Sequence, residues 1–293
     1  MKILVVHKTS RYQQLILEQK DEDVATLLAQ GDISVAKLEQ SHKSHTQSLE
    51  HVQEVLTRHG LEFDVVPRED SDRPNDYDLL VPVGGDGTVL DLSHRVGDTP
   101  VLAINSDPSS SIGYFCAGSA KDFEEMLEDT LESRWEPTGL RRFAVCINDN
   151  ERTPPVLNET LVCHANPAAV SSYLLDVNGS MEAQRSSGIW IATPAGSTAA
   201  IRSAGGMVLP VSSKNYQFVV REPYQPPNQT YRQIKGIRPF GTPIEIVSKM
   251  QEGRIYVDGP HICHNFRIGD RLTLDFKVPQ LRVYGLDDKR RNA

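Results

Sequence analysis

One glycine-rich turn in this sequence carries a single carboxylate where it could act on a bound phosphate. Residues 81–90 read VPVGGDGTVL, so an apolar run leads into three glycines around Asp86, and Thr88 stands at the expected start of a helix. Glycines let the backbone turn tightly and bring its N–H groups against a ligand. A helix N-terminus adds partial positive charge that suits phosphate. A carboxylate there repels phosphate unless it takes a proton or binds a metal ion, and both are roles in phosphoryl transfer.

A purely structural interpretation of this turn stays open. An aspartate that caps a helix explains one Asp and one Gly, but it does not explain three glycines, so the segment favours phosphate chemistry. The chain has no GxxxxGK[ST] motif and no GxGxxG after a strand, which argues against a P-loop NTPase and a standard dinucleotide fold. NAD kinases, diacylglycerol-type lipid kinases and phosphofructokinases share such a turn, and the turn alone does not separate them.

Two further segments could bind a nucleoside. Asn158 and Glu159 lie at the edge of a β-like run, where their groups match a ribose and an adenine amino group, although for the pair taken alone a solvated turn is the favoured interpretation. Residues 193–200 read TPAGSTAA, in which small residues allow close backbone approach and hydroxyls can bind a polar ligand. The alternative for this second segment is a tightly packed corner between a strand and a helix. Arg185 adds a positive charge just before the preceding strand.

In this order, the three motifs resemble the NAD kinase family. Lipid kinases and phosphofructokinases lack the second and third motifs, so the combination separates NAD kinases from them. The resemblance spans roughly residues 79–259 and ends with YVDG at 256–259. Four other segments resemble the plant NADH kinase branch of that family: 105–108, 166–171, 185–188 and 217–223.

The resemblance implies a kinase, a transferase that moves the γ-phosphate of ATP to the adenosine ribose 2′-hydroxyl of NAD+ or NADH and so makes NADP(H). It implies Mg²⁺ or another divalent cation, but no protein metal ligand is assigned. Asp86 would be the catalytic base. The expected nucleotide-binding residues are Gly84, Gly85, Gly87, Thr88, Asn158, Glu159, Arg185, Thr198, Ala199 and Ser203.

Ser187 departs from the pattern of the common bacterial members, which carry an aspartate near the nicotinamide at this position. NAD+ has a positively charged nicotinamide ring and NADH a neutral one. The loss of a nearby carboxylate should therefore weaken a preference for NAD+. The sequence leaves the choice between the two dinucleotides open.

The secondary-structure elements that must position these motifs fall into two regions with different sequence patterns. Up to about residue 120, short apolar runs alternate with helical segments, which predicts a parallel sheet with crossover helices. From about residue 138, closely spaced β-like runs predict an all-β domain such as a sandwich. The expected fold is thus an N-terminal α/β Rossmann-like domain (1–120) with a C-terminal β-sandwich domain (121–283). The resemblance adds a return of about 284–293 to the first domain.

Composition excludes several classes of protein. The 293 residues suggest about two domains, and no apolar run approaches the ~20 residues that cross a bilayer. The net charge of −8 argues against a nucleic-acid partner and requires anionic nucleotides to be held by backbone N–H groups, a metal ion or a few arginines.

We expect a cytoplasmic protein with small-molecule partners and, from the resemblance, a homodimer or homotetramer. A non-catalytic dinucleotide sensor and a lipid or sugar kinase are the alternatives.

Overall fold

A computed structural model describes residues 1–227 and 230–286 of the chain. Contacts within it define two compact units, 1–138 with 281–286, and 139–280. The first unit extends beyond residue 120 because the helix Phe123–Leu131 buries Phe123, Met126 and Leu127 in the core of that unit. Residues 284–286 of the expected C-terminal return belong to the first unit, and the remainder of that return, 287–293, lies outside the described residues.

The first unit is built on a sheet of five parallel strands. Its order is β2-β1-β3-β4-β5, so the chain extends the sheet to one side of β1 and then to the other. The carboxyl ends of β1 and β3 thus flank the point where the strand order reverses, which is where open α/β sheets bind ligands. The strands are β1 Lys2–His7, β2 Glu62–Pro67, β3 Leu79–Gly84, β4 Ile104–Asn105 and β5 Gly118–Ser119.

Four α-helices accompany this sheet: α1 Glu22–Ala29, α2 Leu38–Arg58, α3 Asp86–Ser93 and α4 Phe123–Leu131. A π-helical stretch, Gln13–Glu18, precedes them. Helix α2 buries Val52, Val55 and Leu56 as its spacing predicts, and Gly60 follows it with a φ of +65°. The apolar spacing of residues 48–58 predicts a helix only from Ser48, and the helix begins ten residues earlier because its first half makes polar contacts that leave no apolar periodicity.

The second unit contains two six-stranded antiparallel sheets, in the orders β11-β10-β15-β18-β7-β8 and β14-β13-β12-β9-β16-β17. Side chains from the inner faces of both sheets share one apolar core, which includes Tyr173 and Leu175 of the first sheet and Ile191 and Phe218 of the second. The elements after α4 are β6 Thr138–Leu140, β7 Ala144–Ile147, β8 Glu151–Arg152, β9 Glu159–His164, β10 Ser171–Val177, β11 Ser180–Ser186, β12 Ile189–Ala192, α5 Ala200–Ser203, β13 Asn215–Val220, β14 Lys235–Pro239, β15 Ile244–Ser248, β16 Gly253–Val257, β17 Ile262–Phe266, β18 Arg271–Asp275 and β19 Leu281–Val283.

The predicted fold class is confirmed: a parallel α/β sheet is followed by a β-sandwich. The sequence did not predict β11, β14 and β17, which are polar or contain glycine and proline and therefore lack the apolar alternation of a half-buried strand. Over residues 1–227 and 230–286, every helix is too short or too polar to cross a lipid bilayer.

Candidate active site

The phosphate turn, Gly84–Thr88, joins the carboxyl end of β3 to the first turn of α3. A Cβ at Gly84 would collide with the Thr88 hydroxyl, and one at Gly85 would lie 2.8 Å from Ser111 Oγ. Gly87 is exposed, and a Cβ there would meet no described atom within 4 Å. Packing against Thr88 therefore requires glycine at position 84, and Ser111 leaves little room at Gly85, whereas Gly87 leaves open space beside a helix N-terminus.

Asp86 is half-buried at the first residue of α3. Its Oδ1 accepts a hydrogen bond of 2.8 Å from the backbone N–H of Phe115, a residue that is 2% exposed. This contact fixes the carboxylate relative to the loop 105–115 rather than leaving it to rotate in solvent. Phe115 is not among the predicted site residues, because residues 105–115 depart from the Asn-x-Gly-x-x-Gly-Phe stretch that is usual in the family. Its backbone donor gives no pattern to read either, since every residue except proline has one.

The loop 105–115 is itself held by Asn105, which ends β4. Its Nδ2 donates to the carbonyl oxygen of Ser111 at 2.9 Å, and its Oδ1 accepts from the N–H of Asp107 at 3.1 Å. Gly113 has a φ of +63°, and a Cβ there would overlap the Asn105 side chain. Both the backbone conformation and the close approach require glycine, so the loop has one defined path toward Asp86.

A carboxylate and a lysine also lie at this edge of the sheet. Asp107 is 2% exposed, and burial raises its pKa. Hydroxyl donors from Ser109, Ser110 and Ser41, together with the charge of Lys8, outweigh that effect and hold the pKa below its usual value. Burial and the charge of Arg68 lower the pKa of the Lys8 ammonium, and Asp107 partly opposes this shift. The carboxyl edge of the sheet therefore contains the Lys8 ammonium beside an ionised Asp107.

The polar half of α2 braces the same edge. Ser44 and Ser48 both donate to the carbonyl oxygen of Ser106 at 3.0 Å. His45 is 4% exposed, and burial together with the charges of Lys8 and His7 lowers its pKa to about 4. His45 is therefore neutral near pH 7. The segment Gln19–Ser44 showed no chemistry in the sequence, yet its last residues belong to the helix that supports this edge.

In the second unit, the Asn–Glu pair (Asn158 and Glu159) stands where β9 begins. The carboxylate of Asp258 accepts hydrogen bonds from the N–H groups of Leu157, Asn158 and Glu159 at 2.8, 2.7 and 3.0 Å. On the carbonyl side, the N–H of Thr193 donates to the oxygen of Asn158 at 2.9 Å, and the Thr193 hydroxyl donates to that of Leu157. The backbone of the pair is therefore bound from both sides.

The side chains of the pair are not bound in this way. Asn158 Oδ1 and Glu159 Oε2 are buried and have no hydrogen-bond partner. Buried polar atoms without partners are rare in folded proteins, and a ligand, an ion or a water molecule is one explanation for them. The pair thus offers a prepared acceptor and a prepared carboxyl group to a polar ligand.

Glu159 differs electrostatically from the sequence expectation. It is 7% exposed, and burial, with a smaller contribution from the charge of Asp258, raises its pKa to about 8. The sequence suggested a carboxylate that accepts from hydroxyls or amines. At neutral pH the buried group is protonated, so it can also donate one hydrogen bond to a ligand.

Residues 193–200 form a tightly packed corner between a strand and a helix, as the structural alternative for this motif predicts. The motif also borders a cavity. A Cβ at Gly196 would overlap the backbone carbonyl of Asn158, so this glycine permits close packing against the pair. Thr198 and Ala199 are half-buried between a 3₁₀ turn and α5. Ser203 is exposed at the end of α5 and lines a cavity of about 500 Å³ with Trp190 and Arg221.

Arg185 lies on β11, in the sheet that does not contain the Asn–Glu pair. Its guanidinium lies 5.5 Å from the ring centre of Tyr224, where it makes a cation–π contact. Ser187 lines a second cavity of about 280 Å³ with Arg221 and Tyr256. Arg221 borders both cavities; it lies in the segment 217–223 that resembles the plant NADH kinase branch, but the sequence predicted no binding role for it.

Comparison with known proteins decides the family. Residues 3–135 match the family model for the ATP-NAD kinase N-terminal domain. A protein of Oryza sativa subsp. japonica described as a probable NADH kinase is 36% identical over 82% of this chain and 81% of its own length. The chain belongs to the NAD kinase family. The NADH kinase of Arabidopsis thaliana is 34% identical over 84% of this chain and 85% of its own length, in agreement with the resemblance to the plant branch.

Solved NAD kinase structures share the fold. An NAD kinase from Archaeoglobus fulgidus, crystallised in complex with ATP, aligns with 100% of this chain and 96% of its own at a TM-score of 0.72 and 21% identity. Yeast NADH kinase, complexed with NADH, aligns with 97% of this chain and 82% of its own at a TM-score of 0.67 and 18% identity. At these identities the likeness supports the predicted α/β and β-sandwich architecture.

Proposed function

We propose that the protein is an NAD(H) kinase that transfers the γ-phosphate of ATP to the 2′-hydroxyl of the adenosine ribose of NAD+ or NADH. The observation that carries the proposal is Asp86, a carboxylate fixed by the Phe115 N–H at the end of a parallel strand, beside the open space at Gly87. A carboxylate in that position can align a hydroxyl nucleophile and take its proton. Membership of the NAD kinase family supports the same reaction.

The acceptor dinucleotide would be held by the Asn–Glu pair. The unpaired Asn158 Oδ1 can accept from a ribose hydroxyl or the adenine amino group, and the protonated Glu159 can donate to a ring nitrogen or a hydroxyl. Thr198, Ala199 and Ser203 would line the remainder of the dinucleotide site, and Arg185 would add positive charge.

The donor phosphates would be bound chiefly by neutral groups, as the net charge of −8 requires. The N-terminus of α3 would present the backbone N–H groups of Gly85 and Gly87 with partial positive charge, and Thr88, whose own N–H donates to the carbonyl oxygen of Gly85 at 3.0 Å, would hold the turn in shape. Lys8, at the carboxyl end of the neighbouring β1, would supply a positive side chain to the same phosphates.

The residues at the phosphate turn do not form a set of ligands for a resident Mg²⁺. The Oδ1 of Asp86 accepts from Phe115, and both oxygens of Asp107 accept from serine hydroxyls. Over the described ranges, the one group of three side chains that could ligate a metal ion is His59, Glu124 and Glu128 at the far end of α2, where Arg58 already pairs with Glu124. A divalent cation would therefore be bound mainly through the nucleotide phosphates.

Gly87→Ala tests the open side of the phosphate turn. A methyl group at this position meets no described atom and lies in the first turn of α3, so the free energy of unfolding should rise by up to about 1 kcal/mol. The same methyl should obstruct the donor phosphates and raise the KM for ATP at least about tenfold, which corresponds to about 1.4 kcal/mol. Gly84→Ala is the contrasting control, because its methyl collides with Thr88 and should lower the melting temperature. An unchanged KM for ATP in Gly87→Ala would contradict the placement of the phosphates.

A direct assay tests the function. Purified protein with ATP, Mg²⁺ and either NAD+ or NADH should form NADP+ or NADPH. Tight dinucleotide binding without product would favour a non-catalytic dinucleotide sensor. Phosphate transfer to a lipid or sugar, and not to a dinucleotide, would favour a lipid or sugar kinase. A cytoplasmic location and a homo-oligomer stay predictions, and analytical ultracentrifugation would test the second.

A further inference from the structure

The turn between β16 and β17 contains an aspartate that reaches back to the start of β9. Asp258 directly follows β16, and its backbone has a φ of +48°, in the left-handed region that aspartate, asparagine and glycine tolerate best. Its Oδ1 accepts from the N–H groups of Asn158 and Glu159, and its Oδ2 accepts from that of Leu157. Its own N–H donates to the carbonyl oxygen of Glu159 at 2.9 Å. One residue thus makes four hydrogen bonds to three successive residues.

These hydrogen bonds take the place of backbone pairing between β9 and β16, which does not extend to residues 157–159. Strand β9 pairs with β16 only as far as Thr160 opposite Val257, so residues 157–159 lie beyond the last pair of that ladder, and Glu159 pairs with Ala192 of β12 on its other side. Leu157 is fully buried and Glu159 is 7% exposed, so these N–H groups need a partner within the protein. The Asp258 carboxylate provides it, and charge-assisted hydrogen bonds of this kind are stronger than those to a neutral acceptor.

We propose that Asp258 is the positioning residue for dinucleotide binding, because it fixes the backbone of the Asn–Glu pair so that Asn158 Oδ1 and Glu159 Oε2 face the ligand. Thr193 and Gly196 support the opposite side of the same backbone. With the backbone satisfied on both sides, the two unpaired oxygens are the groups left for a ligand. The inference deepens the proposed function, on which it rests.

Asp258 also affects the ionisation of Glu159. Burial contributes most to the raised pKa of Glu159, and the negative charge of Asp258 adds to it. The residues that pack against the pair from the other side, Thr193 and Gly196, are uncharged. Removal of the Asp258 charge should therefore lower the pH at which Glu159 ionises, whereas an effect on the turn alone would not move it.

Two substitutions separate the hydrogen bonds from the shape of the turn. Asp258→Gly keeps the left-handed backbone and removes the acceptor oxygens. Asp258→Asn keeps the backbone and one acceptor oxygen and removes the charge. Asp176→Asn is the matched control, since Asp176 also accepts from a backbone N–H in a hairpin turn, that of Gly179 at 2.7 Å, but on β10 of the other sheet.

We would measure the dissociation constants of NADH and NAD+ by titration calorimetry from pH 6 to 9, with the KM for ATP and the melting temperature. For Asp258→Gly we expect dinucleotide binding weakened at least about tenfold, the effect of losing hydrogen bonds to a charged group, with the KM for ATP within about threefold of wild type. For Asp258→Asn we expect a smaller loss and a pH midpoint of binding below that of wild type. Asp176→Asn should match wild type in all measurements.

Wild-type dissociation constants in Asp258→Gly would overturn the inference, because they would show that only the conformation of the turn matters. If Asp258→Gly does not fold, the Asp258→Asn series decides, and an unmoved pH midpoint with wild-type affinity overturns the inference. Failure of the proposed function is a different result: wild-type protein would then form no NADP+ or NADPH from either dinucleotide. Binding by wild type and loss of binding in Asp258→Gly would still support the positioning role.

Discussion

Asp86→Asn should reduce kcat by about 10²–10⁴-fold, the usual contribution of a positioned general base. The amide keeps the shape of the carboxylate and an oxygen that can accept from the Phe115 N–H, but it does not take the proton of the 2′-hydroxyl. The dissociation constant for the dinucleotide should stay within about threefold of wild type, because the pair that would bind the adenosine lies in the other unit. Steady-state kinetics and calorimetry on the same preparation measure both quantities.

Asp91→Asn is the matched control for this variant. Asp91 is also on α3, where it is half-buried and pairs with Arg95 at 3.6 Å. Such a long, partly solvated ion pair contributes little to stability, so kcat and melting temperature should match wild type. An Asp86→Asn enzyme with more than about a tenth of wild-type kcat would contradict the general-base assignment.

Glu159→Ala should raise the KM for the dinucleotide by about 10–100-fold, because the ligand loses one or two buried hydrogen bonds. Glu159→Gln should retain most of the affinity near pH 7, since glutamine resembles the protonated carboxyl group in shape and can also both donate and accept. Glu151→Gln, an exposed residue of β8, is the control and should match wild type.

The pH dependence gives a second measurement on Glu159. Its pKa is about 8 in the folded protein against an ordinary value of 4.5, so the folded state holds the extra proton between these values. The contribution of Glu159 to the free energy of unfolding should therefore fall by a few kcal/mol, on the order of 1.4 per pH unit, as pH rises from about 4.5 to 8. The difference between wild type and Glu159→Gln in urea unfolding measures it. A difference that is flat across this range would contradict the raised pKa.

Local sequence predicted β1, β2 and β3, because β-branched apolar runs such as residues 1–6 and 78–83 favour strands. Local sequence did not predict β5, Gly118–Ser119, which has no apolar run. The predicted boundary assigned residues 121–283, and α4 with them, to the second domain, whereas α4 packs in the core of the first unit. The spacing of Phe123, Met126 and Leu127 shows an apolar helix face, but the surface that buries it is known only from the folded core. The sequence analysis also treated the three glycines of the phosphate turn as equivalent. In the structure, Thr88 packs close to Gly84 and Ser111 close to Gly85, so packing accounts for these two.

The sequence by itself determined the family motifs, the phosphate turn and the succession of an α/β and an all-β region, because these depend on residue type and short-range spacing. Only the tertiary structure decided that Phe115 orients Asp86, that Asp258 holds residues 157–159 about 100 positions away, and that Glu159 is protonated at neutral pH. The physical reason is that backbone hydrogen-bond partners and burial are fixed by long-range packing. They move a pKa and orient a side chain without leaving a local pattern in the chain.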